Sequence, residues 1–211
     1  MATALNDHLD TSTDGSHAHI DMRFQSPTYI IKRPWLSFFE RTFRVFAPDG
    51  RLALMVKHPV FKMRDEWQIF GDEAKTEALV RVKSRQVIAI NRVYDLHDAK
   101  TGEHLGAVRS KGLRSIIRDQ IEILDRDDRV FGHLIEKGAA LLRRFFPFLT
   151  SKHDVEIGGQ VVASVKQKFR FFIKEFHVDQ RVALLTEEVD PRLVLTCALL
   201  AVIHESHRER G

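Results

Sequence analysis

Disulfide chemistry is missing from this chain: Cys197 is its only cysteine in 211 residues, so no intramolecular bridge can form. That pattern fits a reducing cytosol. A strong charge of one sign is missing too. Lys and Arg number 33 against 29 Asp and Glu, a formal +4, and the two signs are interspersed. This is mildly basic and falls well short of a nucleic-acid footprint. Met1 to Met22 lacks a basic cluster followed by an apolar core, which argues against a secretory signal. There is also no long apolar run. The longest, Leu193 to Ile203, is about half of the roughly 20 residues needed to cross a bilayer, and charge follows at once in His204-Glu205-Ser206-His207-Arg208. No Walker, nucleophile-elbow or zinc-protease motif is present. His204 and His207 are one residue too close for two ligands a full helical turn apart. Asp125-Arg126-Asp127-Asp128-Arg129-Val130 places Val where a calcium loop turns on Gly.

What the chain does have is alternation. From about Thr42 onward, short apolar-polar runs are separated by clusters of Asp, Gly, Asn and Lys, the pattern of strands and tight turns. Phe43 to Phe46 turns at Ala47-Pro48-Asp49-Gly50 into Arg51 to Lys57. Trp67 to Phe70 leads into Ala78 to Lys83, Val93 to His97 into His104 to Ser110, and Gln120 to Leu124 into Arg129 to Glu136. Val155 to Ile157 turns at Gly158-Gly159 into Gln160 to Lys168, and Phe171 to Phe176 turns near Asp179 into Arg181 to Glu187. These make about six hairpins, or about twelve antiparallel strands, which predicts a mainly β fold closed into a barrel so that no edge is left open.

The character changes after Val189. Asp190 is suited to cap a helix and Pro191 to its first turn. The predicted helix, about 191–205, is apolar on every side except at Thr196, so it must be surrounded. A barrel of about twelve strands is wider than its own side chains fill, and one helix down the lumen would occupy it. The predicted organisation is a polar tail over residues 1–24 and a single barrel domain over 25–207. His8, His17 and His19 belong to that tail, where a stray metal ion is the rival reading to plain solvation.

Hairpins ending in a capped, wholly apolar helix resemble the tubby C-terminal-like fold of tubby proteins, phospholipid scramblases and LURP-one-related proteins. The likeness is greatest to the LURP-one-related and scramblase-like branch. It rests on Tyr29-Ile30-Ile31-Lys32, Phe46-Ala47-Pro48-Asp49-Gly50, Tyr94-Asp95-Leu96 before the Gly102 turn, and Asp190-Pro191-Arg192-Leu193. The resemblance spans about Tyr29 to His207. It implies a twelve-stranded barrel around a central helix and, for the tubby and scramblase branches, association with membrane lipid or phosphoinositide. No lipid or calcium residue of the family carries over by position.

Two segments stand out as candidate sites. Between the fourth and fifth hairpins, Arg143 and Arg144 adjoin Phe145, Phe146 and Phe148. As a short amphipathic stretch these would set cations against lipid phosphates and aromatics into the acyl boundary. The competing reading has the aromatics covering a barrel end and the arginines facing water. Arg109, Lys111, Arg114 and Arg118 bracket Gly112, Ser110 and Ser115, a set of cations and backbone donors able to hold a phosphate. The competing reading is a solvated rim. Arg81, Lys83 and Arg85, and later Lys166, Lys168 and Arg170, fit the outer face of half-buried strands. Cys197 reads as packed core.

The expectation is a non-enzymatic binding or interaction module, cytoplasmic and peripheral at the inner membrane face. It has no cofactor, no metal and no transmembrane span, and its partner is an anionic phospholipid or a protein, with no nucleic acid. A scramblase-like lipid-handling protein and an enzyme with its site at a barrel end are the alternatives.

Overall fold

A computed structural model describes residues 20–34, 40–59, 66–85, 91–111, 120–137, 151–168, 170, 173–186 and 188–208. Twelve strands form one closed barrel: β1 (Thr28–Pro34), β2 (Glu40–Phe46), β3 (Leu52–Pro59), β4 (Glu66–Phe70), β5 (Ala78–Ser84), β6 (Asn91–Asp98), β7 (His104–Lys111), β8 (Gln120–Leu124), β9 (Val130–Lys137), β10 (Lys152–Ile157), β11 (Gln160–Lys168) and β12 (Ile173–Gln180). Each pairs antiparallel with the next in sequence, and β1 closes the ring by pairing with β12 as well as β2. A helix, α1 (Pro191–Arg208), follows the last strand.

The predicted turns form for the reasons their residues suggest. In the β2–β3 connection the Gly50 amide donates to the Ala47 carbonyl at 3.0 Å. Gly158 and Gly159 have φ of +57° and +76°, as a two-residue primed turn demands, and such a turn matches the twist of the strands it joins. Asp125 accepts from the amides of Asp127 and Arg129 at 2.8 and 2.9 Å, so its carboxylate closes a hairpin.

The sixth hairpin is a correction. Arg181 to Glu187 was expected to be its second arm, but the edge of β12 is occupied by β1, with Tyr29 opposite Val178 and Ile31 opposite Phe176. Val182–Leu184 is instead a single 3-10 turn, and Leu184 and Leu185 pack against the core. These adjacent apolar residues lack the alternation of a strand. The chain here has to fold over the barrel mouth so that α1 can enter. At the other boundary, packing begins inside the expected tail: Phe24 is fully buried, and Arg23 bridges Asp21 and Glu77.

The helix lies within the barrel. Every residue from Leu193 to Ile203 is at most 3% exposed, and these side chains form one cluster with inward residues such as Tyr29, Phe43, Trp67, Leu96 and Val155. Leu193, Leu195, Leu199, Leu200, Val194, Val202 and Ile203 are all buried. At about 1.5–3 kcal/mol each, they contribute on the order of 10–20 kcal/mol of hydrophobic stabilisation. The one polar member, Thr196, donates its hydroxyl to the Arg192 carbonyl at 2.7 Å, satisfying itself within the helix. Cys197 is fully buried and its thiol is pushed up to about 12 by burial, which leaves it inert.

Close approach of sheet and helix is specified by Gly106, beside a register shift in the β6–β7 pairing. Its φ is +137°, and a Cβ there would lie 2.6 Å from the Leu124 carbonyl oxygen and 3.1 Å from Leu193. Gly106→Ala is therefore expected to lose about 2–4 kcal/mol through strain and overpacking. Gly50→Ala, which also has positive φ but meets nothing within 4 Å, should lose only about 1 kcal/mol. Urea unfolding of the two variants side by side measures the difference.

Candidate functional sites at the two barrel ends

The antiparallel meander gives the barrel two unlike ends. One carries the tight turns and the start of α1. The other carries the opposite ends of the strands, among them Arg33 on β1, Glu136 on β9 and His153 on β10, and the finish of α1.

At the turn end, Asp190 caps the helix. Its Oδ1 accepts from the Arg192 amide at 2.8 Å, and its carbonyl accepts from the Val194 amide at 3.1 Å. The Arg192 guanidinium is buried between two carboxylates, 2.6 Å from Asp190 and 2.6 Å from Asp98. Burial pushes the Asp98 carboxyl up, but the amides of Thr101 and Lys100 and the charge of Arg192 together outweigh this and hold it below its ordinary value. Asp21, Met22, Phe24, Leu79, Asp98, Lys100 and Arg192 line a cleft of about 340 Å³ here. Its cations are matched by carboxylates: Arg192 by Asp190 and Asp98, and Lys100 by Glu77 at 3.2 Å. The arrangement anchors the helix, and a phosphate would have to compete with the protein's own acids.

At the opposite end, Glu136 on β9 sits directly across from His153 on β10, and Glu205 enters from the last turn of α1. One donor atom from each lies within 4.8 Å of the other two. His153 and Glu205 are buried at 8% and 6% exposure, and Glu136 is half-buried. Ile121, Leu134 and Ala201 form an apolar wall beside them, and His204 completes a cavity of about 30 Å³. That is room for one water-sized occupant. Arg33, 1% exposed, is near the end of β1 on the same side of the barrel, its guanidinium 5.7 Å from the centre of the Phe43 ring.

Glu136, His153 and Arg33 belong to no motif in the sequence, and Glu205 stands out there only beside His204 and His207. The available signal was phase. Glu136 follows Leu134 and His153 precedes Val155, and those two apolar residues are buried in the core. A charged or imidazole side chain on the apolar phase of a strand points into the barrel.

The sequence candidates fare differently. Arg109 is on β7 and is held 2.6 Å from Glu122, itself 7% exposed, so this cation is committed to a neighbouring strand. Lys111 ends β7. Arg114, Arg118, Arg143, Arg144, Phe145, Phe146 and Phe148 lie outside the described residues. Arg81 and Lys83 are exposed while Val80 and Val82 are fully buried, the outer-face pattern expected. Among the described residues, no helix is long and apolar enough to cross a membrane. In comparisons with known proteins, the chain matches no family model, no curated protein and no solved structure.

Proposed function

We propose that this chain is a non-enzymatic binding module of the LURP-one-related type, which associates peripherally with anionic phospholipid at the cytoplasmic face of a membrane. The observation that supports this most is the filled lumen. Leu193 to Ile203 occupy the interior that a lipocalin-like barrel would offer to a ligand, so recognition falls to the ends and the outer surface. In the order of the chain, both basic segments fall between consecutive strands, Arg114 and Arg118 after β7 and before β8, and Arg143 to Phe148 after β9 and before β10. Arg143 and Arg144 adjoin Phe145, Phe146 and Phe148 in sequence, and cations beside aromatics are the combination that gives interfacial attachment without a span.

Vesicle pelleting with phosphatidylserine liposomes at low and high salt tests the reading. The wild-type chain should pellet at low salt and release at high salt. Replacing Arg143 and Arg144 by Ser should weaken partitioning by about 1 kcal/mol for each cation, and Phe145→Ser with Phe146→Ser should weaken it further. Unchanged pelleting of both variants would remove membrane association and leave a protein partner as the ligand.

A further inference from the structure

We propose that Glu136, His153 and Glu205 form a binding site for one first-row transition-type divalent ion, with Zn²⁺ the representative, that ties the end of α1 to β9 and β10. This goes beyond the lipid reading and does not depend on it.

One imidazole nitrogen and two carboxylate oxygens are borderline ligands, the mixture used for Zn²⁺ and its neighbours. Ca²⁺ asks for about six to eight oxygens and Mg²⁺ for a near-ideal octahedron of oxygens, and this site supplies neither. Spacing agrees. Metal–ligand bonds of about 2.0–2.2 Å place neighbouring donors roughly 3–4 Å apart, and the three donor atoms here already lie within 4.8 Å of one another. A small side-chain adjustment closes the remainder. The cavity they border holds one water-sized occupant, which leaves room for a water to complete the coordination.

Electrostatics points the same way. Glu205 lies in the last turn of α1, where the helix dipole is negative and a carboxylate is disfavoured while a cation is favoured. A second carboxylate, Glu136, is brought to the same point from β9. Two carboxylates and an imidazole thus converge at the negative end of a helix, beside the apolar wall of Ile121, Leu134 and Ala201, a setting that favours a dication. The three ligands come from three elements that meet only when the barrel is closed around its helix, so an ion here binds the native state and not the unfolded chain.

The test uses the full-length chain, stripped with chelator and dialysed, carrying His8→Ala, His17→Ala and His19→Ala so that the N-terminal histidines cannot contribute. Titration with Zn²⁺ should show saturable one-to-one binding. At about 100 times Kd the folded-to-unfolded ratio should rise about 100-fold and Tm by about 5–10 °C, with no shift from Mg²⁺ or Ca²⁺ at the same concentration. Co²⁺ should give a visible ligand-field band that Glu136→Gln, a change of almost no volume, weakens. His153→Ala and Glu205→Gln should each lower affinity at least 100-fold. Absence of one-to-one binding, or affinity and Co²⁺ spectra unaltered in Glu136→Gln and Glu205→Gln, would overturn the assignment and leave a metal-independent polar cluster.

Discussion

A Leu199→Asp protein should not accumulate as soluble material with a cooperative melt. Leu199 is fully buried near the middle of α1, among residues that are at most 3% exposed in both directions along the helix. Truncation alone, as in Leu199→Ala, removes a packed side chain at a cost of about 2–5 kcal/mol, which most domains survive. A carboxylate adds desolvation in a lumen lined by Leu, Val, Ile and Phe, and the total reaches the whole stability of an ordinary domain, about 5–15 kcal/mol. Soluble yield and circular-dichroism melts of the Ala and Asp variants, compared directly, separate lost packing from a buried charge. A well-folded, soluble Leu199→Asp chain would show that the helix is not enclosed as described.

The second large effect belongs to the ion cluster at the turn end. Arg192→Met should lower stability by about 3–5 kcal/mol, because removing the cation strands two carboxylates rather than one hydrogen bond. Asp190 is 4% exposed and Asp98 is 15% exposed at the side chain, so water compensates neither well. At about 2–4 °C per kcal/mol for a chain of this size, Tm should fall by about 10 °C, and adding Asp98→Asn should recover part of the loss. The pH dependence has a definite sign. The folded carboxyl of Asp98 lies below its ordinary value, so its contribution is present above about pH 4 and lost as pH falls through the folded value. Arg192→Met should shrink that acid-side loss, which thermal melts between pH 3 and 7 measure.

Local chemistry made much of this fold readable. Gly158-Gly159, Asp125 and Pro48-Asp49-Gly50 mark turns because each satisfies a backbone need within a few residues. Asp190-Pro191 likewise marks a helix start, and the structure shows the cap in place. What escaped was pairing at a distance. β1 has the alternation of a strand, yet its partner β12 lies at the far end of the chain, and no turn beside it announces the match. Arg181 to Glu187 reads as a strand because a hairpin is the local default, whereas occupation of the β12 edge by β1 is a global fact. The Glu136, His153 and Glu205 cluster is dispersed in the same way, across two strands and a helix. Each member alone is an ordinary polar residue, and only the inward phase of the first two hints that they converge.

The order of elements also constrains how the molecule is made. The strand that seals the ring comes first, its partner comes last among the strands, and the segment that fills the interior follows all twelve. During synthesis the meander can therefore pair neighbour to neighbour, yet it has nothing to pack around. Its apolar faces stay wet until α1 emerges. Closure and filling then become a single late event dominated by contacts far apart in sequence, the kind that folds in milliseconds to seconds and exposes sticky intermediates. A ribosome stalled before Asp190 would hold a sheet with twelve strands and no centre, a natural substrate for chaperones.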